Sequence, residues 1–291
     1  MTEKILPLIF FIVLSSSLYG QNNEDIEGTI QESFNNELKV PTPQEIIDYN
    51  ISNNTTNGFS AHKQNYILPF TYSGLPESDE RKKFEIKYQV SIKQRLIKFY
   101  GWAMYFGYTQ KSFWQAYDLN DSRPFRENNF NPEIFLRTKM WSGMRIDSGV
   151  EHESNGKELP YSRSWNRIYL TPYFENAYMI ASLKGWYRIN ERKKEDESDV
   201  AGDDNPDIHK YYGYGELGVT FKFPELHNSY LAAMARYNPK YQRGAIEINT
   251  TIPLYLNSMS LMIQYWNGYG ESLIDYNIKQ QKIGIGLNFT R

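Results

Sequence analysis

Hydrophobic and polar residues alternate along most of the chain beyond about residue 64. In residues 84–93, FEIKYQVSIK, every even-numbered residue is apolar or aromatic and every odd-numbered residue is charged or polar. A period of two is that of a β-strand whose two faces meet different environments. The same alternation recurs in YILPFTY, WAMYFGYTQ, EIFLRTK, MRIDSGVEH, SWNRIYLTP, YMIASLKGWY, YGELGVTFKF, YLAAMARY, AIEINTTI, SLMIQYW and KIGIGLNF. The pattern predicts an all-β fold of about twelve strands.

The connections between these predicted strands alternate in length. Short turns are predicted at 141–143, 174–177 and 254–258, and longer loops at 115–130, 153–162, 190–207 and 267–278. Short turns at one end and long loops at the other are typical of antiparallel barrels in the outer membrane. Several strands also reach the roughly 9 to 11 residues that a membrane-spanning strand needs. We therefore predict a twelve-stranded transmembrane β-barrel with both termini on the periplasmic side; a soluble β-sandwich is the alternative.

The composition is compatible with a barrel of this kind. The chain has 24 tyrosines and 16% aromatic residues, and Trp102, Trp141 and Trp266 near strand ends fit interfacial girdles. A mean hydropathy of −0.64 does not exclude a membrane barrel, because its lumen-facing positions are polar. The chain has no cysteine, which excludes disulfides and thiolate chemistry, and its net charge of −2 gives no basic field for nucleic acid.

The N-terminal part of the chain differs from the barrel segments. Residues 1–20 carry Lys4, an apolar run from Ile5 to Leu14 and then small residues, which predicts a secretory signal peptide. Residues 21–60 are polar and predict an N-terminal extension, so that the barrel covers residues 61–291. No later segment has 18 consecutive apolar residues, so a membrane-spanning helix is not expected.

The segment HESNG, residues 152–156, contains a histidine and a serine two positions apart. On the strand that leads into it, the odd-numbered residues from 145 to 153 are charged or glycine, whereas Ile146 and Val150 are apolar. The odd face must therefore line the wet lumen and the even face must contact lipid. His152 and Ser154 belong to the even face and are predicted on the outside of the barrel. The pair alone does not distinguish a nucleophile and its base from two polar residues near a loop.

Two further polar residues are predicted on lipid-facing positions. Asn166 shares its face with Ile168 and Leu170 on the next strand, where an unpaired amide would be costly. A hydrogen bond from His152 to Asn166 would offset that cost and would complete a Ser–His–Asn arrangement. Gln110 continues an apolar outward face, which indicates either a protein–protein contact or a residue at the membrane interface.

Six segments together resemble the outer-membrane phospholipase A family, in the family's order and over about residues 64–291. They are HESNG, SRSWNRIYLTP, YTQKSFWQ, SRPFRENNFNPEIF, DDNPDIHKYYGY and NGYGESLIDYN. The resemblance implies a twelve-stranded barrel that hydrolyses acyl esters of phospholipids and lysophospholipids at the sn-1 and sn-2 positions. It also implies a requirement for calcium, Ca2+, and activity as a homodimer.

The resemblance assigns catalytic roles residue by residue. Ser154 matches the family's nucleophile, His152 its general base and Asn166 the residue that orients the imidazole. The backbone amide of Gly156 matches a donor of the oxyanion hole. Asparagine as the third member follows the family pattern.

The resemblance also implies calcium ligands and a dimer contact. Ser162 matches a side-chain ligand, Lys157 the position of a carbonyl ligand, and Ser122 the position whose carbonyl reaches the ion from the other subunit. Gln110 matches a polar residue buried across the dimer contact. Leu159 stands where the family can have an acidic ligand of a second, monomer-type site, which puts that second site in doubt although Asp204 is kept.

Some features depart from the resemblance or leave alternatives open. The loop at 190–204, NERKKEDESDVAGDD, is longer and more charged than expected and is interpreted as a solvated loop. The chain ends in NFTR rather than in a phenylalanine. A non-enzymatic barrel that acts as a channel or adhesin, or another lipid esterase such as a lipid A deacylase, would share much of the pattern.

Overall fold

The structure, a computed structural model, describes residues 59–78, 81–119, 122–141, 143–226, 228–254 and 259–289. The predicted signal peptide and nearly all of the predicted extension lie outside the described residues. The strands are β1 (Phe59–Ala61), β2 (Tyr66–Ser73), β3 (Phe84–Phe99), β4 (Trp102–Trp114), β5 (Phe125–Lys139), β6 (Met144–Ser154), β7 (Ser164–Glu175), β8 (Met179–Ile189), β9 (Gly215–Phe223), β10 (Ser229–Asn238), β11 (Arg243–Pro253), β12 (Ser260–Gly268) and β13 (Gln280–Asn288). Within these described ranges the helical elements are the single turn α1 (His209–Tyr212) and a 3-10 turn at Pro224–Leu226.

The strands close into a twelve-stranded antiparallel barrel, as predicted. Each strand from β2 to β13 pairs with its sequence neighbours, and β13 pairs back onto β2. The short β1 pairs with residues 92–94 of β3, beyond the part of β3 that pairs with β2. Over these residues β4 pairs with the opposite edge of β3. β1 and β2 therefore lie one after the other along the same edge of β3. No helix in the described segments is long and apolar enough to cross a membrane.

Two of the predicted loops have different bounds in the structure. β5 begins at Phe125, so the loop expected at 115–130 ends earlier, because FRENNF continues the alternating strand pattern. The loop expected at 190–207 extends instead to residue 214 and contains α1. The loops at 155–163 and 190–214 lie at the same end of the barrel as the end of β6, which is where the predicted site lies.

The lumen is filled with paired charges. Lys87 and Glu271 are 2.9 Å apart and neither side chain is exposed. Arg167 contacts Glu151 at 3.1 Å, and Lys184 reaches the same carboxylate at 2.7 Å. The predicted facing of β6 is therefore confirmed, since its odd-numbered charged residues point inward.

Trp266 was expected in an interfacial girdle, and this expectation is wrong. Its side chain is 2% exposed, and it lies inside the barrel. The cations of Lys87 and Arg236 lie over its ring, at 5.9 Å and 5.4 Å from the centroid. Trp266 therefore contributes to the packing of the lumen, where cation–π contacts accommodate its ring among charges.

Arg137 and Asp147 form one of the lumen pairs and provide a test of how such pairs contribute to stability. The guanidinium donates two hydrogen bonds to the carboxylate, of 2.8 and 2.7 Å, and both side chains are nearly buried. We expect Arg137→Met to lower the free energy of unfolding by about 3 to 5 kcal/mol, because it leaves a buried carboxylate without its partner. Denaturant unfolding of the lipid-bound barrel measures the loss. R137M/D147N should recover most of it, and a loss below about 1 kcal/mol in R137M would contradict this expectation.

Candidate active site

The register between β6 and β7 brings the predicted histidine and asparagine together. His152 lies directly opposite Asn166, and Ser154 lies opposite Ser164. The distance from His152 Nδ1 to Asn166 Oδ1 is 2.9 Å, which is a hydrogen bond. Because an amide oxygen only accepts, the bond requires that Nδ1 carry the proton. Nε2 of the neutral imidazole is then free to accept a proton.

This pair lies on the outer wall of the barrel, as the alternation predicted. Val150 and Ile168, the next pair along the same face, are 48% and 50% exposed, whereas Glu151 and Arg167 between them are buried. Ser154 follows His152 by two residues on the same strand, and strand geometry places both side chains on this outer face. Within the described part of the chain, no hydrogen bond joins the Ser154 hydroxyl to the imidazole. Such bonds often form only when substrate is bound.

Glu191 is a member of this cluster that the sequence reasoning missed. It follows the end of β8, and its carboxylate accepts a hydrogen bond of 2.7 Å from Asn166 Nδ2. Partial burial raises the pKa of the Glu191 carboxyl, and the nearby carboxylate of Asp203 raises it further. Arg188 and the hydrogen bond from Asn166 act in the opposite direction.

The loop that follows Ser154 is folded around the side chain of Asn155. Its Oδ1 accepts hydrogen bonds from the backbone amides of Lys157 and Arg163, at 3.3 and 2.9 Å. Its Nδ2 donates to the carbonyl of Tyr161 at 2.9 Å. Gly156, between Asn155 and Lys157, has a φ of +62°, a conformation that favours glycine. The side chain of Asn155 is thus a second organising residue that the sequence reasoning did not select.

Ser162 lies at the far end of the same loop and contacts the loop at 190–214. Its hydroxyl donates to a carboxylate oxygen of Asp204, and Lys194 Nζ lies 2.5 Å from the other carboxylate oxygen. The prediction of a solvated loop at 190–204 holds for the exposed centre of the loop. It is wrong for the ends, because Glu191 binds Asn166, and Asp204 contacts both Ser162 and Lys194.

The oxygens around Ser162 have the chemistry that calcium prefers. They are a hydroxyl, a carboxylate and the carbonyls of a folded loop, and hard oxygen ligands of this kind bind calcium. Among the described residues there is no group of three or more His, Cys, Asp or Glu side chains that could hold a metal. A cation here would thus need backbone carbonyls in addition to the Ser162 hydroxyl, because the nearby carboxylate of Asp204 is paired with Lys194. Leu159, in the same loop, provides no side-chain ligand.

Ser122 and Gln110 come from β4 and the loop after it, and Gln110 is two strands from Ser154, because Gln110 lies opposite Phe130 and Phe130 lies opposite Ser154. Ser122 is exposed in the loop between β4 and β5. Gln110, on the outer face of β4, donates to Ser112 Oγ at 3.1 Å and accepts from the hydroxyl of Tyr108 at 3.2 Å. Their predicted roles at a contact between two subunits stay predictions.

The chain is similar to known proteins over most of its length. The model of the family described as phospholipase A1 matches residues 44–289. A putative phospholipase A1 of Neisseria meningitidis serogroup B is 36% identical over 260 residues, which is 80% of this chain and 65%, just under two thirds, of that protein. The phospholipase A1 of Salmonella typhimurium is 36% identical over 224 residues, 72% of this chain and 71% of that protein.

Solved structures with the same barrel are also similar in sequence. Outer membrane phospholipase A from Escherichia coli matches with a TM-score of 0.70 and 32% identity, covering 80% of this chain and 98% of that chain. The Salmonella typhi outer membrane phospholipase, a dimer with bound calcium, matches with a TM-score of 0.71 and 32% identity, covering 82% and 93%. The barrel is therefore one of the outer membrane. The family model and these relatives each cover more than two thirds of this chain. The chain therefore belongs to the phospholipase A1 family.

Proposed function

We propose that the chain is a calcium-dependent phospholipase of the outer membrane. It hydrolyses acyl esters of phospholipids and lysophospholipids at the sn-1 and sn-2 positions. The observation that carries the proposal is the 2.9 Å hydrogen bond between His152 and Asn166 on the lipid-facing wall, beside Ser154 on the same strand. The outward position fits a lipid that diffuses laterally to the barrel and never enters the lumen, which is filled with ion pairs.

The residues of the site support the steps of acyl transfer. His152 Nε2 takes the proton of Ser154, whose oxygen attacks the acyl carbonyl and forms a tetrahedral intermediate. The intermediate expels the glycerol oxygen, which receives the proton from His152, and leaves the acyl group on Ser154. Water, deprotonated by His152, then attacks the acyl carbonyl, and the fatty acid leaves as Ser154 takes the proton back from His152. Asn166 keeps the imidazole in the required tautomer throughout, and the Gly156 amide donates to the oxyanion.

Calcium fits the oxygens at the Ser162 corner of the site. Ser162 through its hydroxyl and Lys157 through its carbonyl are the proposed ligands within one chain. The ion would supply positive charge near the oxyanion, which is the function of a Lewis acid in ester hydrolysis. The likeness to the Salmonella typhi structure, a dimer with bound calcium, supports this assignment.

The proposal includes a homodimer. Ser122 would extend its carbonyl to the calcium of the other subunit, and Gln110 would lie in the contact between the two barrels. The apolar outer face of β4, which includes Phe106 at 40% exposure, gives such a contact hydrophobic surface. The proposal also includes a signal peptide at residues 1–20 and a polar N-terminal extension at residues 21–60.

A non-enzymatic barrel is the second candidate. Its one supporting feature is the scaffold, which a channel or adhesin could share. A barrel that had lost the activity would be expected to have lost one of Ser154, His152 and Asn166, and all three are present and placed on one outer face. The paired charges inside the lumen favour the hydrolase further, because they occupy the route that a channel would use.

The contact between Lys194 and Asp204 leads to a prediction about metal affinity. The ammonium lies 2.5 Å from one carboxylate oxygen of Asp204, whose other oxygen accepts the hydrogen bond from Ser162. We expect Lys194→Met to tighten calcium binding about three- to tenfold, because it frees the carboxylate and removes a like charge. Isothermal titration of the detergent-solubilised protein with calcium measures the change. Lys193→Met, at the neighbouring lysine, is the matched control, and equal affinities in K194M and the wild type would refute the prediction.

The experiment that tests the proposed function measures fatty-acid release. The folded chain is mixed with phospholipid–detergent micelles, with calcium and with a chelator, and free fatty acid and lysophospholipid are quantified. The proposal expects both products in calcium and almost none with the chelator. A folded dimer that releases no fatty acid under either condition would overturn the proposal, and a conductance assay would then examine the channel.

A further inference from the structure

The carboxylate of Glu191 continues the line of hydrogen bonds that begins at His152. Asn166 Oδ1 is 2.9 Å from His152 Nδ1, and Asn166 Nδ2 is 2.7 Å from Glu191 Oε1. The amide thus uses its acceptor on the imidazole and its donor on the carboxylate. We infer that Glu191 is a positioning residue that acts on His152 through Asn166, an inference that deepens the proposed function and rests on it.

The barrel itself brings Glu191 to this place. Ile189, the last residue of β8, lies opposite Asn166 on β7. Tyr187 and Ile189 are 67% and 41% exposed on the outer wall, and Glu191 follows them at the same spacing of two. A residue that continues this alternation beyond the end of β8 stays on the outer face, one strand away from the asparagine.

The base of the loop at 190–214 is held by a separate ion pair. Arg188 donates two hydrogen bonds from one nitrogen to Asp203, at 2.7 and 2.8 Å, and the amide of Asp203 donates to the carbonyl of Arg192 at 2.8 Å. These contacts fix the backbone on either side of Glu191. The charged or titratable groups that face Glu191 are Arg188, Asp203 and the imidazole of His152.

A carboxylate is the acceptor that this position needs. The two ends of an asparagine side chain have nearly the same shape, so an amide can rotate by half a turn and present Nδ2 instead of Oδ1 to the imidazole. An ionised carboxylate accepts only, and it therefore holds Nδ2 on its own side. Oδ1 is then directed at His152 Nδ1, and Nε2 is left to take the proton of Ser154. A hydrogen bond to a charged acceptor is also about twice as strong as a neutral one.

The test compares Glu191→Gln, Asn166→Asp and the double variant N166D/E191Q. Glutamine at 191 can donate as well as accept, so we expect E191Q to lower kcat about fivefold to tenfold with little change in KM. An aspartate in place of Asn166 would face the Glu191 carboxylate, and N166D should lose about a hundredfold in kcat. In N166D/E191Q the glutamine can donate to the new carboxylate, so at least about a tenfold recovery over N166D is expected. A merely structural role would not make E191Q harmful in the wild-type chain and beneficial in the N166D background.

A control and a second readout keep the result decisive. Glu195→Gln, in the same loop with an 82% exposed side chain, should change neither kcat nor KM. In the inactive Ser154→Ala background, NMR of 15N-labelled histidine should show His152 as the Nδ1–H tautomer, and E191Q should produce a mixture of tautomers. His152 is assigned by the loss of its signal in H152N.

The outcomes separate the inference from the proposed function. If the wild-type chain releases no fatty acid, the proposed function fails, and the tautomer measurement still decides the role of Glu191. If E191Q leaves kcat, the activity of N166D and the His152 tautomer unchanged, the inference is overturned while the hydrolase stands.

Discussion

Replacing Ser154 with alanine should reduce kcat by about 10⁵-fold or more, which corresponds to about 7 kcal/mol of transition-state stabilisation. The hydroxyl is the atom that attacks the acyl carbonyl, and the chain has no other hydroxyl two residues from His152 on β6. His152→Ala should cost a similar factor. The double variant S154A/H152A should be no worse than either single variant, because the two residues act as one unit.

The controls for this prediction address folding. The hydroxyl of Ser154 makes no hydrogen bond within the described part of the chain, so its removal should leave the barrel intact. Heat-modifiable migration on gels should be the same for S154A and the wild type. Ser164→Ala is the matched control on the facing strand, and it should retain most of the activity. Substantial hydrolysis by S154A would exclude Ser154 as the nucleophile.

Removing calcium should reduce hydrolysis by about 10²- to 10³-fold, or about 3 to 4 kcal/mol, the typical cost of losing one stabilising group at an oxyanion. The residues that remain, His152 and Ser154, can transfer the proton and attack, but the developing negative charge then meets only the Gly156 amide. Activity is measured against free calcium in buffered chelator. It should return fully when calcium is added back, and magnesium should restore less, because it holds its water more strongly.

Ser162→Ala is the companion variant for calcium. It removes the hydroxyl that contacts Asp204 and the only proposed side-chain ligand, so it should shift the calcium requirement to higher concentration while leaving full activity within reach at saturation. The thermal midpoint of the folded dimer gives a readout independent of activity, since calcium that binds only the folded state raises it. Unchanged activity of the wild type in chelator would contradict the assignment of the metal.

The alternation of the strands was enough to predict much of the site. His152 and Asn166 were placed on the lipid side because Ile146, Val150 and Ile168 share their faces, and the register confirms both positions. Because side chains alternate between the two faces of a strand, charged residues on one face are enough to assign the opposite face to the lipid side. The catalytic roles themselves came from the resemblance and not from this pattern.

Other parts of the site have no periodic signal in the sequence. Glu191 and Lys194 lie in a charged loop, and the partners of a loop residue depend on how the loop folds back. Their contacts with Asn166 and Asp204 therefore could not be read from spacing. Asn155 was detectable in principle, because an asparagine that follows a strand and precedes a glycine often holds a turn through its side chain.

For Trp266, the alternation of its strand and the usual location of tryptophan lead to different predictions. Its strand places Met262, Gln264 and Trp266 on one face, and the polar Gln264 indicates the lumen. The preference of tryptophan for membrane interfaces is a statistical tendency, whereas the alternation is geometric. Where the two disagree, the facing of the neighbours is the better guide.

The most direct test of the proposed hydrolase is to find where a serine-reactive lipid analogue attaches. A long-chain alkylphosphonate ester in micelles with calcium is incubated with the folded wild-type chain, and the modified peptide is located by mass spectrometry. We expect one adduct per chain on Ser154, with loss of hydrolysis in proportion to labelling, and no adduct after denaturation or in H152A. Complete labelling at another serine, or undiminished hydrolysis by a chain labelled at Ser154, would contradict the assignment of Ser154 as the nucleophile.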